Sequence, residues 1–222
     1  MEECIMKKKI VTIILVLGVV AGISGMLYMQ KGKNKNVENA AANVSDLPVY
    51  AMKADFVYDT ENINESVGIV DYVFLGEVVS KDETTYEDVV PMEDAKGKTV
   101  EEGTPYTHYS IRVKENIKGE LEKEKEIKIV KHGGVAQDKK SVVLFDKDCL
   151  PEVGKQYIFL AYAQSDGSLL ISGPNSNVLA NAKKQETVVN EYEKAVKQEK
   201  VNVDRERYTS EYDKKADNAK NK

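Results

Sequence analysis

Two histidines and two cysteines are the full stock of imidazole and thiol groups in this 222-residue sequence. A zinc centre needs a set of His, Cys, Asp or Glu ligands at compatible spacing. His108 and His132 do not make one between them. Their polar flanks place both on the wet side of neighbouring strands, as solvated surface residues. Cys149 follows Asp146 and Asp148, whose charge raises a thiol's pKa, the reverse of what a nucleophile requires. It reads as a small buried or edge thiol.

No G-x-S-x-G context supports a serine nucleophile. Gly133-Gly134 lacks the G-x-x-x-x-G-K-[ST] string of a phosphate loop and reads as a strand-end turn. Glu87, Asp88, Glu93 and Asp94 are plentiful carboxylates. A glycosidase holds two at fixed separation in a cleft, and these lie in a stretch that reads as a flexible loop. A calcium loop would show D-x-[DN]-x-[DN]-G, which does not occur. Tyr106, Tyr109, Tyr157 and Tyr162 suggest a stacking platform for single strands. Alternation buries at least Tyr109, however, and the surrounding charge is not basic, so core packing is the better account. The sequence therefore predicts no enzyme, no cofactor and no metal.

The elements that would position any surface chemistry are strands. In residues 107–117, Tyr109, Ile111 and Val113 alternate with His108, Ser110, Arg112 and Lys114, the period of a half-buried antiparallel strand. Residues 126–131 form its partner, with Ile127 and Ile129 buried and Lys128 and Lys131 on the wet side. Residues 67–80, VGIVDYVFLGEVVS, are apolar on both faces: Val70, Tyr72, Phe74 and Val78 on one, Ile69, Val73 and Leu75 on the other. This marks a central strand, with Gly76 as a bulge or bend. Residues 81–103, with Pro91 and Gly97, read as an irregular acidic excursion. Further strands are expected at 141–145, 156–163 and 168–172, the last two joined at Asp166-Gly167, a hairpin turn signal. A helical turn over 59–67 would be capped by Thr60 or Asn62. From 181 the period becomes helical, with Val188, Tyr192 and Val196 as a stripe that either docks on the sheet or pairs with another chain. Residues 201–222 read as a frayed or disordered tail.

Composition bounds the rest. Charged residues make up 31% and aromatics 7%, and the formal net charge is -5. One modest core with a mixed-charge surface fits this, and lysines interleaved with acids give no basic stripe for nucleic acid. Residues 10–29, IVTIILVLGVVAGISGMLYM, form a run of ~20 residues without a charge, long enough to cross a ~30 Å hydrocarbon core. The apolar run continues past Gly22 and Ser24, which favours an uncleaved anchor over a removed leader. Lys7, Lys8 and Lys9 keep residues 1–9 in the cytoplasm and place the remainder outside, although Lys31, Lys33 and Lys35 nearly balance that count. Gly18 and Gly22 form a small-x-x-x-small pair suited to a weak dimer, set against glycine being common in membrane helices. Residues 30–47 form a polar linker, 48–180 the folded domain and 181–222 the tail.

The order VDYVFLGEVVS, an excursion, HYSIRVKENIKG, a strand ending in Gly-Gly, then LPEVGKQYIFLAY resembles the OB-like barrel of the tissue-inhibitor-of-metalloproteinases and netrin-type modules, in particular their cysteine-free bacterial relatives. The resemblance covers about residues 55–174 and is carried best by VKENIKG (113–119) and VGKQYIFL (153–160). It implies a mainly β, five-stranded, partly open barrel whose exposed strands and loops bind ligands, here with an N-terminal membrane helix and a C-terminal helical tail. In the animal inhibitors a mature N-terminal cysteine chelates the protease zinc; this domain has no cysteine at its start, so that chemistry is not implied. The expected function is a non-enzymatic, membrane-tethered extracytoplasmic module. It would recognise a protein or envelope polymer through His108, Ser110, Arg112 and Lys114 together with the 81–103 segment. The alternative is a metalloprotease inhibitor acting through a loop.

Overall fold

The computed structural model describes residues 46–93, 96–201 and 203–214. Its centre is a ring of five strands. β2 (Tyr72–Glu93) pairs with β3 (Thr99–Lys118), β3 with β4 (Glu126–His132), β4 with β8 (Leu169–Ile171), β8 with β7 (Gln156–Ala163), and β7 returns to β2. Every pairing in the ring is antiparallel except β4 with β8, where Val130 faces Leu170 and Lys131 faces Ile171 in parallel. β9 (Asn177–Leu179) adds to β7. A small second sheet joins β1 (Val49–Met52), β6 (Val142–Phe145) and β5 (Gly134–Val135). The protein is mainly β, as its alternating segments predict.

The ring closes because its inward positions are filled by large apolar side chains at the strand period. Tyr72, Phe74, Val78, Tyr109, Ile111, Val113, Ile127, Ile129, Tyr157, Phe159 and Leu169 form one cluster, and Phe74 stacks on Phe159 at 5.4 Å between centroids. Gly76 makes room for it. The strand shifts register between Leu75 and Gly76, and a Cβ at Gly76 would stand 2.5 Å from Ile111 Cγ2 and 3.2 Å from Phe159 Cδ2. The expected bulge is therefore also the point where the ring is narrow enough to exclude any side chain.

The opposite face of the same strands is covered by helices. Val73, Leu75, Ile158 and Leu160 pack with Val67 and Ile69 of α1 (Ile63–Ile69) and with Val189, Tyr192 and Ala195 of α2 (Gln185–Lys197). This explains why β2 reads as apolar on both sides. Val70 belongs with this outer cluster, not with Tyr72 as alternation suggests, because it is the C-cap of α1 and precedes the strand. Asn62 caps α1, its Oδ1 accepting from the Asn64 and Glu65 N–H groups, and the stripe of α2 docks on the barrel, one of the two expected roles.

Two long segments depart from the sequence expectation. Residues 81–93 and 99–103 are not irregular: β2 and β3 continue beyond the ring as a two-stranded ribbon, paired from Lys81 with Tyr109 out to Glu93 with Thr99. Register shifts at Lys81/Thr84 and Glu87/Val90 break the alternation that would have announced it. Nor is the stretch after 201 a loose tail where it is described. Residues 203–214 form an extended strap along the barrel. Arg207 donates to the Gly68 and Val70 carbonyls at 2.6 and 3.0 Å, and Arg205 Nε donates to the Ile69 carbonyl at 2.8 Å. With Lys118 Nζ on the Val67 carbonyl at 2.8 Å, basic side chains from distant segments satisfy the carbonyls that end α1, which has no basic residue of its own there. Both arginines also pair with Asp71, at 2.7 and 3.1 Å. Ser210 is fully buried, its N–H donating to Tyr72 Oη, which donates in turn to Asp213 Oδ2 at 2.9 Å.

Among the described residues no helix is long and apolar enough to cross a membrane. The expected span at 10–29, the linker up to 45, and Gly18 and Gly22 lie outside the described residues.

Candidate functional site

β3 presents His108, Ser110, Arg112 and Lys114 on the face away from the ring core, as alternation predicts, and brings them into one row. Cross-strand neighbours meet each of them. Arg112 lies opposite Glu126 of β4 and bonds its Oε1 at 2.6 Å. Lys114 sits between Glu124 at 3.1 Å and Glu77 of β2 at 3.4 Å. Ser110 is buried at 6% exposure, donating to Asp82 Oδ2 at 3.0 Å and accepting from Lys128 Nζ at 2.7 Å. His108 Nε2 meets Thr85 Oγ1 at 3.0 Å. Asp82 gathers Lys128, Ser80 and Ser110, and the Lys128 contact, followed by the Ser80 hydroxyl, holds its carboxyl below the usual range. The row is thus a charge-paired lattice of the kind cross-strand neighbours build. A ligand here would exchange partners with it instead of meeting bare charges.

From this face the ribbon projects with exposed Val89, Val90 and Met92. Residues 81–103 contain eight acidic and three basic side chains, a net of -5, which equals the formal net charge of the whole chain. The remainder of the protein balances to zero.

A second cluster, missed by the sequence reading, lies inside. Lys131 was expected on the wet side but is fully buried, because it shares the parity of Ile127 and Ile129 and follows them inward. Its Nζ bonds both Asp148 oxygens and Ser176 Oγ at 2.7 Å, with the Gly173 carbonyl at 3.4 Å. The Asp148 side chain is 1% exposed. Burial pushes the lysine down and the carboxyl up, and each opposes the other's shift by holding it charged. Ser176 beside Lys131 brings to mind a nucleophile and its base. Ser176 is only 4% exposed, however, and its hydroxyl donates to the Gly173 carbonyl at 2.7 Å. The hydroxyl so occupied serves the buried ion pair, accepting from Lys131 Nζ while donating to the Gly173 carbonyl.

His132, expected on the wet face, is half-buried. It stacks on Tyr106 at 4.6 Å and meets Phe145 edge-on at 4.8 Å, with Nδ1 3.3 Å from Ser172 Oγ. Its Nε2 is buried without a hydrogen-bond partner. Burial first, then the charge of Lys131, depresses its pKa below 6.5. A base that is harder to protonate when folded leaves the unfolded chain holding more protons below 6.5. Stability is then full above that pH and lost as pH falls through the folded value. His132→Phe keeps the ring stack and removes this slope, while the unpaired nitrogen it also removes is offset at neutral pH by loss of the Nδ1 contact with Ser172. Urea unfolding should show a gain of about 1 kcal/mol at acid pH, with little change at neutral pH. A variant whose acid-side slope equals the parent's would refute the assignment.

Cys149 accepts from Asn177 Nδ2 at 3.4 Å and is disulfide-bonded, which corrects the expectation of a small buried or edge thiol. Tyr109 and Tyr157 are core residues, as expected. Among the described residues no group of His, Cys, Asp and Glu is arranged to hold a metal ion.

Compared with known protein families and with curated proteins, the sequence matches none. The functional reading therefore rests on the geometry. Of the residues singled out from the sequence, the β3 row is assembled on one face. The ribbon beside it is more ordered than expected, and the two histidines are set apart, one on the charged face and one among aromatic rings.

Proposed function

We propose that this chain is a non-enzymatic binding module held at the outside of a cell membrane by residues 10–29. It would recognise a protein or envelope polymer through the β2–β3 ribbon and the adjoining row His108, Ser110, Arg112 and Lys114. The observation that carries the reading is the ribbon: two strands of a closed, filled barrel run on into solvent, bearing all of the chain's excess negative charge and an exposed apolar stretch. A rigid scaffold that projects such an element is built to present a surface. The five-strand ring with its single parallel pair supports the OB-like barrel of this reading, a fold that binds through exposed strands and loops; the tissue-inhibitor-of-metalloproteinases and netrin type rests on the sequence resemblance alone.

The test is capture from intact cells with the tethered chain as bait, repeated with residues 83–103 replaced by a short turn. Loss of the captured partner with the ribbon supports the reading; an unchanged partner overturns the ribbon's role. Slowing of a secreted metalloprotease by the chain would instead favour the inhibitor alternative. The tether is tested by mass spectrometry of the unreduced protein. An intrachain Cys4–Cys149 bridge would put both residues in one compartment and overturn the anchor.

A further inference from the structure

Beyond the Glu87/Val90 shift the ribbon has a fixed register: Val90 opposite Glu102, Pro91 opposite Glu101, Met92 opposite Val100 and Glu93 opposite Thr99. Directly opposed residues share a face, and faces alternate along each strand. Val90, Met92, Val100 and Glu102 therefore lie on one side, and Pro91, Glu93, Thr99 and Glu101 on the other. Val90 is 51% and Met92 49% exposed, and neither hydrophobic cluster includes these residues. Two strands alone are marginal in water unless an apolar face is covered. Here such a face exists, with Val90 and Met92 exposed and Val100 partly buried beside them, and neither core cluster extends over it.

Charge decides between the candidate occupants. A second copy would lay one ribbon with a net of -5 against another, and like charges facing one another are unfavourable. Glu102 on the apolar face and Glu101 and Glu93 on its reverse, all exposed, call for cations beside an apolar strip.

We infer that the distal ribbon is the docking surface for a basic amphipathic segment of a partner protein, with alternating apolar and Lys or Arg residues laid along Val90, Met92 and Val100. This deepens the binding-module reading and rests on it. Paired along an edge of the ribbon, an alternating occupant continues its period, so its apolar side chains extend the stripe on one face while its cations stand beside Glu93 and Glu101 on the other.

The probe is a labelled peptide of alternating valine and lysine, with a valine–glutamate peptide as control, added to the full chain in zwitterionic nanodiscs and followed by fluorescence anisotropy against empty nanodiscs. Saturable binding of the lysine peptide alone is expected. The paired change Val90→Ser and Met92→Ser should weaken it about tenfold, with an unchanged circular dichroism spectrum. Raising salt from about 0.1 M to about 0.5 M should weaken it similarly. No binding, equal binding of both peptides, or binding indifferent to the substitutions overturns the inference. So does sedimentation showing a dimer that the substitutions dissolve, since a second copy would then be the occupant. If ribbon replacement abolishes cell-surface capture while the lysine peptide does not bind, the partner chemistry is wrong and the binding-module reading stands.

Discussion

Replacing Lys131 with methionine is expected to cost about 3–5 kcal/mol of folding free energy at neutral pH. The loss comes from what remains behind. Asp148, with its side chain 1% exposed, would lose its cation and keep only the Cys149 N–H at 2.8 Å. Burial already pushes its carboxyl up even beside the lysine. Without Lys131 the folded value rises further, so the folded carboxyl holds its proton where the unfolded one has released it. Stability of the variant is then lost as pH climbs above the ordinary carboxylate range, and the deficit should be smaller near pH 4 than near pH 7. Asp148→Asn should be comparably damaging through the stranded ammonium. The double change Lys131→Met with Asp148→Leu should recover most of the loss, because well-packed apolar groups commonly replace a buried pair at little cost. Urea unfolding of the four proteins in a double-mutant cycle measures this. Additive losses, or a single change costing under about 1 kcal/mol, would mean that the pair is wet and unimportant.

Ending the chain after Lys200 is expected to destabilise the domain by at least ~3 kcal/mol, since a hydrogen bond to a charged group contributes ~1.5–3 and several are lost. The Gly68, Ile69 and Val70 carbonyls would lose their arginine donors, Asp71 both of its cations, and Tyr72 Oη both the Ser210 N–H and Asp213. Tyr72→Phe isolates the last of these and should cost about 2 kcal/mol by leaving the nearly buried Asp213 carboxylate and the Ser210 N–H without it. A truncated chain that unfolds at the same urea concentration as the parent would show that the strap is dispensable.

What could be read from the sequence depended on whether a regular period was intact. Residues 107–114 alternate without interruption, and Tyr109, Ile111 and Val113 are all fully buried. β7 spans the residues expected of it, and Gly167, at φ 86°, makes the hairpin turn that Asp166-Gly167 announces. Where the period breaks, reading fails. The ribbon carries two register shifts and a proline, which looks like a breaker but is tolerated in a strand that lies outside the ring. Lys131 keeps the inward parity of its strand, yet its polarity argued for water, and its partner 17 residues on leaves no local mark. The strap has no apolar period at all; arginines reaching the end of a distant helix fix it in place. Of the surface proposed for binding, the β3 row was readable and the ribbon's two-faced character was not.

The seam of the ring has a consequence for how the molecule comes into being. β2 emerges early during synthesis, but the strand that zips onto its free edge is β7, and β8 must then slot in parallel beside β4. Until Ile171 is available, the first three strands form an open curl with an apolar interior and bare backbone at its margins, a state prone to stray pairing. Maturation is therefore all-or-none and gated by the last third of the polypeptide, and so many far-apart pairings put it among slow-folding topologies.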